Sequence, residues 1–388
     1  MSVLRVLVVH NSYQQLGGEA SVVESEIALL RARGHDVVEY GRRNDECKEM
    51  DHFELAIQTL WSRRTTSELA RLFVKSRPDV VHVHNTFPLI SPSIYWAAAE
   101  ARVPVVQTLH NFRLVCLNGL LLRNNQVCED CLGNLPWRGV VHKCYRGEIA
   151  ASGVLASMLT LHRGLTTYRT KISRYIALNV FCRRKFIEGG LPAERIVIKP
   201  NFVDFPAPES LPRQGLLFVG RLSMEKGVKT LANAAVLLPH AHLRVAGEGP
   251  ERAIFDGLAN VTLLGSLPGT AVRREMNGAV ALVMPSIWYE NFPRTIVEAY
   301  ACLLPVIASR IGALTDLVKD GETGLLFEPG NPLDLADKMS WALAHPDQMA
   351  QMGRNARAQY EAEFSADENY RLLKKIYMDV QDERKNTG

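Results

Sequence analysis

The 388-residue chain contains no apolar run long enough to cross a bilayer as a helix, which excludes a membrane span of that kind. Its first residues, Met-Ser-Val-Leu-Arg-Val-Leu-Val-Val-His, lack a basic leader and a small-residue cleavage site. They read as a first strand, and the expected location is cytoplasmic. No internal repeat or low-complexity tract occurs. An Asp-x-Asp pair is missing, so no metal-bridged diphosphate is implied. The Walker phosphate loop is missing too: Lys226-Gly227 lacks the preceding glycine spacing and the Ser or Thr that would hold magnesium. Nor does any nucleic-acid recognition motif accompany the net charge of +4, so nucleic acid is not an expected partner.

What is present fits a soluble globular protein, with 47% apolar and 22% charged residues. The length suggests two domains. Charge is divided unevenly. Residues 1–205 hold 26 Lys or Arg against 19 Asp or Glu, whereas residues 206–388 hold 19 against 22. Between Arg138 and Lys185 there are ten basic residues and a single acid, Glu148. Such a segment suits anionic lipid headgroups or a phosphorylated acceptor, and equally a solvated face.

The first half alternates apolar runs with amphipathic stretches. Residues 4–9 form a run that ends in His10-Asn11-Ser12. After it come Gly17-Gly18-Glu19 and a helix with Val22, Val23, Ile27 and Leu30 at helical spacing. A glycine pair at a strand-to-helix turn lets backbone amides approach a phosphate or sugar, or simply makes a tight turn. Residues 80–85, Val-Val-His-Val-His-Asn, predict a strand with His82 and His84 on one face. His82 reads as a satisfied interior histidine, while His84 and Asn85 lie at the carboxyl end. Residues 103–109 deliver His110 to the same edge, where a neutral imidazole can exchange a hydrogen bond with a substrate hydroxyl.

Residues 116–144 carry four of the seven cysteines: Cys116, Cys128, Cys131 and Cys144. One C-x-x-C with flanking thiolates can complete a tetrahedral structural zinc site, with His142 as a substitute ligand. In a reducing compartment zinc is favoured over disulfides, with free thiols or a labile bridge as alternatives. A helix is expected over residues 149–165, its apolar side (Val154, Leu155, Met158, Leu159, Leu161) turned to the core or to lipid. Pro206, Pro208, Glu209, Ser210 and Pro212 mark a linker.

The second half repeats the alternation. A strand over residues 216–219 leads into Gly220-Arg221-Leu222-Ser223-Met224-Glu225-Lys226-Gly227, where glycines admit a ligand's diphosphate and two cations neutralise it. A strand over residues 280–284 leads through a loop to a helix expected to begin near Phe292, then to a further strand at Pro305. Glu290 lies in the loop. Glu298 lies about two turns into the helix, roughly 9 Å along its axis. Two carboxylates so placed can accept hydrogen bonds from separate parts of one long hydroxylated ligand, at the carboxyl edge of a parallel sheet, or are simply solvated acids at a helix end.

With these residues laid out, the chain resembles the family 4 (group 1) retaining glycosyltransferases of the GT-B fold. The likeness rests on Arg221 and Lys226, on Gly247-Glu248-Gly249-Pro250, and on the segment from Glu290 to Glu298. It continues through Pro305-Val306-Ile307-Ala308-Ser309 and Gly321-Glu322-Thr323-Gly324-Leu325, and more loosely through Gly17-Gly18-Glu19 and His110. It implies an α/β architecture of two Rossmann-like domains with parallel sheets facing across a cleft: residues 1–205 on the acceptor side, with the cysteine-bearing insert, and 206–365 binding a nucleotide sugar. A final helix over 366–388 would cross back to the first domain. The implied activity is metal-independent transfer, with retention, of a hexose-type sugar from a UDP- or GDP-sugar. The acceptor is a saccharide or lipid-linked, in surface polysaccharide or glycoconjugate synthesis and with the inner face of the membrane as a second location. Arg221 and Lys226 would stabilise the departing diphosphate, and Glu298 would hold the ribose. Glu290 with Asn291, Phe292 and Pro293 would hold the sugar, aided by Gly17 and Gly18. His110 would contact the sugar near the reacting carbon, and Glu19, His84 and Asn85 would lie on the acceptor side. The family's frequent Gly-Phe-Gly after the first glutamate is here Asn291-Phe292-Pro293, and Pro293 supplies no amide donor. A nucleotide-sugar epimerase and a non-catalytic nucleotide-sugar-binding subunit are the alternative readings.

Overall fold

A computed structural model describes residues 3–12, 18–209 and 211–387, so Gly17 and Ser210 lie outside the described residues. The chain forms two compact units. One comprises residues 1–120, 129–201 and 369–388; the other comprises 121–128 and 202–368. The change of unit thus falls at 201/202 and 368/369, and a short piece of the cysteine-bearing insert groups with the second unit. Among the described residues no helix is long and apolar enough to cross a membrane.

The first unit is built on six parallel strands: β1 (Arg5–Ser12), β2 (Asp36–Arg43), β3 (Val80–Asn85), β4 (Val105–Thr108), β5 (Arg174–Ala177) and β6 (Ile196–Ile198), in the order β2-β1-β3-β4-β5-β6. Both β3 and β4 are buried along their whole length. That is the behaviour of parallel strands covered by helices on both faces. On one face Leu4, Val6 and Val8 meet Val23, Ile27 and Leu30 of the helix Gly18–Ala32, together with Leu373, Ile376, Tyr377 and Val380 of the final helix. That final helix, Ala366–Thr387, runs on past its last buried apolar residue, Val380, because good helix formers extend it and Glu383 pairs with Arg174.

The second unit repeats the plan with β7 (Leu216–Val219), β8 (Leu243–Ala246), β9 (Val261–Gly265), β10 (Ala281–Met284), β11 (Val306–Ser309) and β12 (Gly324–Phe327), ordered β9-β8-β7-β10-β11-β12. Alternate residues of each strand feed opposite faces. Leu217, Leu282, Val306 and Ala308 pack with Ile296, Val297 and Tyr300, while Leu216, Phe218, Val283 and Ile307 pack with Leu231, Leu335 and Met339. The strand order reverses between β1 and β3 in one unit and between β7 and β10 in the other. The crevice outside the carboxyl ends at such a reversal is where open α/β sheets hold ligands.

Candidate functional site

At the reversal in the second unit, β7 delivers the turn that carries Arg221 and Lys226, and β10 delivers the loop that carries Glu290. Lys226 Nζ donates to Glu290 Oε1 at 2.6 Å, and Ser286 Oγ donates to the same oxygen at 2.7 Å. The Glu290 side chain is buried, and burial without such donors would be costly for a carboxylate. Lys226 keeps access to solvent and lies 5.6 Å from the centroid of the Trp288 ring. An ammonium has three donors, so the one held by Glu290 aims the other two. Trp288 Nε1 is a buried donor with no partner among the described residues, a contact the sequence reading did not single out. Arg221 is exposed and makes no ion pair among the described residues.

The helix after this loop is Arg294–Ala301, with Pro293 at its N-cap, so it begins two residues later than expected. Glu298 therefore lies about one turn in, roughly 6 Å rather than 9 Å along the axis. Its carboxylate is mostly buried and pairs with Arg294 Nε at 3.1 Å. Burial pushes the Glu298 carboxyl above its ordinary value, and Arg294 pulls it part of the way back. Phe292 packs on Phe364, with ring centroids 6.2 Å apart, and so belongs partly to the core.

Two glycines of these turns also serve backbone packing. A Cβ on Gly227, whose φ is +70°, would lie 1.8 Å from the carbonyl oxygen of Pro285; one on Gly249 would lie 2.2 Å from that of Leu222. These glycines let neighbouring strand-exit loops pack backbone on backbone, which positions Lys226 beside Glu290. Gly227→Ala should accordingly destabilise the protein by at least about 3 kcal/mol, combining a steric clash with a left-handed backbone. Denaturant unfolding measures this, and an unchanged midpoint would mean that the loops do not meet there.

The first unit gathers histidines at its own reversal. His110, just beyond β4, places Nε2 2.9 Å from Nδ1 of His84, the fifth residue of β3. Burial pushes the His84 imidazole well below its ordinary range and that of His110 down to about 4, so both rings are neutral near pH 7. His10 Nε2 lies 3.2 Å from Glu19 Oε1. Asn85 is spent on the backbone, donating to Asn11 O at 3.1 Å and accepting from Phe87 N at 2.9 Å. His82 is a satisfied interior histidine, bonded to Tyr377 at 2.6 Å and Thr108 at 2.7 Å. Gly18 opens the first helix with open space around its α-carbon. Glu26 and Lys199, buried and paired at 2.8 Å, were not singled out in the sequence. The available signal was a charged residue set among Val22, Val23, Ile27 and Leu30 on the apolar side of a helix.

The four cysteines expected to bind zinc are not gathered in the structure. Among the described residues one group of metal-capable side chains comes together, Glu26, His82 and His84, and Cys116, Cys128, Cys131 and Cys144 do not form such a group. None of the seven cysteines forms a disulfide. Cys116 Sγ donates to Asn118 Oδ1 at 3.0 Å, and His142 is exposed. The turn of the C-x-x-C is tied down instead by Lys185, whose ammonium lies 2.8 Å from Glu129 and 2.8 Å from Glu188. Glu26, His82 and His84 do not suit a metal either. The Lys199 ammonium already neutralises that carboxylate at 2.8 Å, and a divalent ion beside it would meet like charge.

Comparison with known proteins agrees with this architecture. Residues 205–359 match the family described as glycosyl transferases group 1, and residues 17–201 match the glycosyl transferase 4-like domain. The chain is 32% identical over 166 residues to the D-rhamnosyltransferase WbpZ of Pseudomonas aeruginosa, covering 41% of this chain and 43% of that protein. It is 27% identical over 307 residues to a D-inositol 3-phosphate glycosyltransferase of Mycobacterium leprae, covering 74% of this chain and 66% of the relative. The matched part spans between 30% and 48% of the length of the first three curated relatives. Among solved structures, sucrose-phosphate synthase from Thermosynechococcus elongatus superposes with a TM-score of 0.71 at 18% identity, covering 97% of this chain and 99% of that one. Anabaena HepE in complex with UDP-glucose superposes with a TM-score of 0.65 at 17% identity, covering 99% and 100%.

Proposed function

The chain belongs to the group 1 glycosyltransferases, a GT-B family, and on that premise we propose that it moves a hexose-type sugar from a nucleotide-diphosphate donor to a saccharide or lipid-linked acceptor, with retention and without a metal. The observation that carries the reading is the Lys226 ammonium, held by Glu290 at 2.6 Å where the second sheet reverses its strand order. Breaking the sugar–phosphate bond leaves an extra negative charge on the diphosphate. A preorganised cation in a partly dry site stabilises that charge more in the transition state than in the ground state. Arg221, exposed on the same turn, supplies the second cation. Glu298 accepts from the ribose hydroxyls, and Glu290 with the neighbouring backbone of Asn291 and Phe292 holds the sugar. His110 contacts the sugar near the reacting carbon. The acceptor hydroxyl attacks on the face the diphosphate leaves, and a diphosphate oxygen takes its proton.

A lipid-linked acceptor at an anionic membrane face is supported by one stretch of the first unit. Leu135, Trp137, Val141 and Ile149 are exposed there, interspersed with exposed Arg138, Lys143 and Arg146. Apolar side chains among cations suit an interface of headgroups and acyl chains.

Binding of the donor tests the reading. Because the Anabaena HepE complex holds UDP-glucose, UDP and UDP-glucose are the first probes, followed by GDP and GDP-sugars. At about 100 times its dissociation constant a ligand adds about 2.7 kcal/mol to stability, which a thermal-shift assay resolves. A nucleotide diphosphate should raise the melting temperature in the presence of EDTA, and Glu298→Ala should weaken nucleotide and nucleotide sugar alike by about tenfold, the size of one lost charged hydrogen bond. Stabilisation that requires magnesium, or none by any nucleotide, would sink the proposal.

A further inference from the structure

Glu26 is an anion sealed inside the first unit. Its side chain is 2% exposed, and its Oε2 accepts from the equally buried Lys199 Nζ at 2.8 Å. That ammonium reaches Asn369 Oδ1 at 3.3 Å as well. Burial alone would raise the Glu26 carboxyl, but Lys199 and the two imidazoles overcome it and hold it well below the usual range. The other oxygen, Oε1, faces two rings, with His82 Nδ1 at 3.0 Å and His84 Nε2 at 3.5 Å. His82 already has a partner for each nitrogen, in Tyr377 and Thr108. Glu26 Oε1 and His84 Nε2, by contrast, are both buried and both without a well-formed hydrogen bond, and they face each other.

A carboxylate oxygen can only accept, so the ring nitrogen that faces it carries the proton. His84 is then the Nε2–H tautomer and its Nδ1 holds a lone pair. That lone pair is 2.9 Å from His110 Nε2, which must donate to it. The remaining nitrogen of His110, Nδ1, is left unprotonated, and it has no hydrogen-bond partner among the described residues. We infer that Glu26 acts through His84 as a positioning residue that keeps the proton of His110 on Nε2, so that Nδ1 is presented as an acceptor to a hydroxyl group of the sugar. The part concerning the sugar rests on the reading of His110 given above. Without the anion the two-histidine chain has no preferred direction. With it, His110 favours a ligand position that offers a hydroxyl and disfavours one that offers only acceptors, such as a ring oxygen or a phosphate oxygen. Lys199 completes the device by keeping the anion charged in a dry interior.

The test reads the tautomer itself, in the full-length protein labelled with 15N in the histidine rings. Correlation spectra near neutral pH, assigned with His84→Gln and His110→Gln, should show both rings neutral and protonated at Nε2. In Glu26→Gln/Lys199→Met, which removes both buried charges together, the His110 ring should lose that preference and populate the Nδ1–H form. Glu26→Asp should keep it. A wild-type His110 protonated at Nδ1, or an Nε2–H preference that survives in the folded double variant, overturns the positioning role. If the double variant does not fold, the wild-type and Glu26→Asp spectra still decide it, because an Nδ1–H ring in either contradicts the inference. Failure of the sugar-contact reading is separate: His110→Gln would then transfer sugar at the wild-type rate while the wild-type tautomer stands as inferred.

Discussion

Replacing Lys226 by alanine is expected to lower turnover by about 100- to 1,000-fold, the usual effect of deleting one fixed donor from a site that stabilises developing charge. The loss should fall on kcat, because in the proposed transfer the ammonium's strongest interaction forms as the sugar–phosphate bond breaks; ground-state binding of the donor should weaken far less. The structure adds a dependence that a single substitution cannot test. Lys226 is aimed by Glu290, and Glu290 is in turn held by Ser286. Glu290→Ala should therefore also lose turnover, partly by releasing Lys226. The two losses should combine in Lys226→Ala/Glu290→Ala to much less than their sum, since contacting residues are not additive. Single-turnover rates for the four proteins give the coupling directly, and circular dichroism together with melting temperatures separates a chemical defect from an unfolded one. Near-normal turnover in Lys226→Ala would mean that the leaving group's charge is met elsewhere. Full additivity would mean that the ion pair at 2.6 Å has no part in aiming the ammonium.

The placement of this candidate site was largely legible because its residues sit where the chain's own pattern puts them. Arg221, Lys226 and Glu290 follow apolar runs, and such runs become parallel strands whose carboxyl ends collect polar loops. The start of the helix was misread for a reason already present in the sequence. Phe292 looks like part of an apolar stripe, yet the residue before a proline is driven away from the helical region, so Phe292 could not begin a helix ahead of Pro293. Spacing carried less information for the cysteines. A C-x-x-C specifies a turn but not where distant thiols fall, and here Lys185 between Glu129 and Glu188 ties that turn down. The glycines meet the same limit, since a sequence does not tell a turn made for a ligand from one made for a neighbouring carbonyl. The Glu26 network escaped notice because its members are scattered from residue 26 to residue 377 and only the fold unites them.

Removing the final helix should undo the first unit, although some 170 residues of the second unit separate the two in sequence. Leu373, Ile376, Tyr377 and Val380 are each no more than 6% exposed and complete the core that β1 and the first helix begin. Burying such side chains is worth about 1.5–3 kcal/mol apiece, so the four together contribute about 6–12 kcal/mol. That is as large as the whole stability of an ordinary domain, about 5–15 kcal/mol. The same helix also closes polar gaps. Tyr377 bonds His82 at 2.6 Å, Tyr370 bonds His35 at 2.9 Å, and Asn369 donates to Pro200 O at 2.8 Å while accepting from Lys199. Deletion would take one hydrogen-bond partner from each of those groups, a further cost of about 1–3 kcal/mol wherever a buried polar atom is left unsatisfied. A chain ending at Glu368 should therefore lose the unfolding transition of residues 1–201, and limited proteolysis should cut there first while residues 202–368 resist. Tyr377→Phe, which removes one hydroxyl and keeps the ring, should cost only about 1–3 kcal/mol and leave both units folded. The contrast matters because a truncated chain that kept its first unit intact would show that the apolar stripe of this helix is covered but not needed, and the buried-area argument would fail with it.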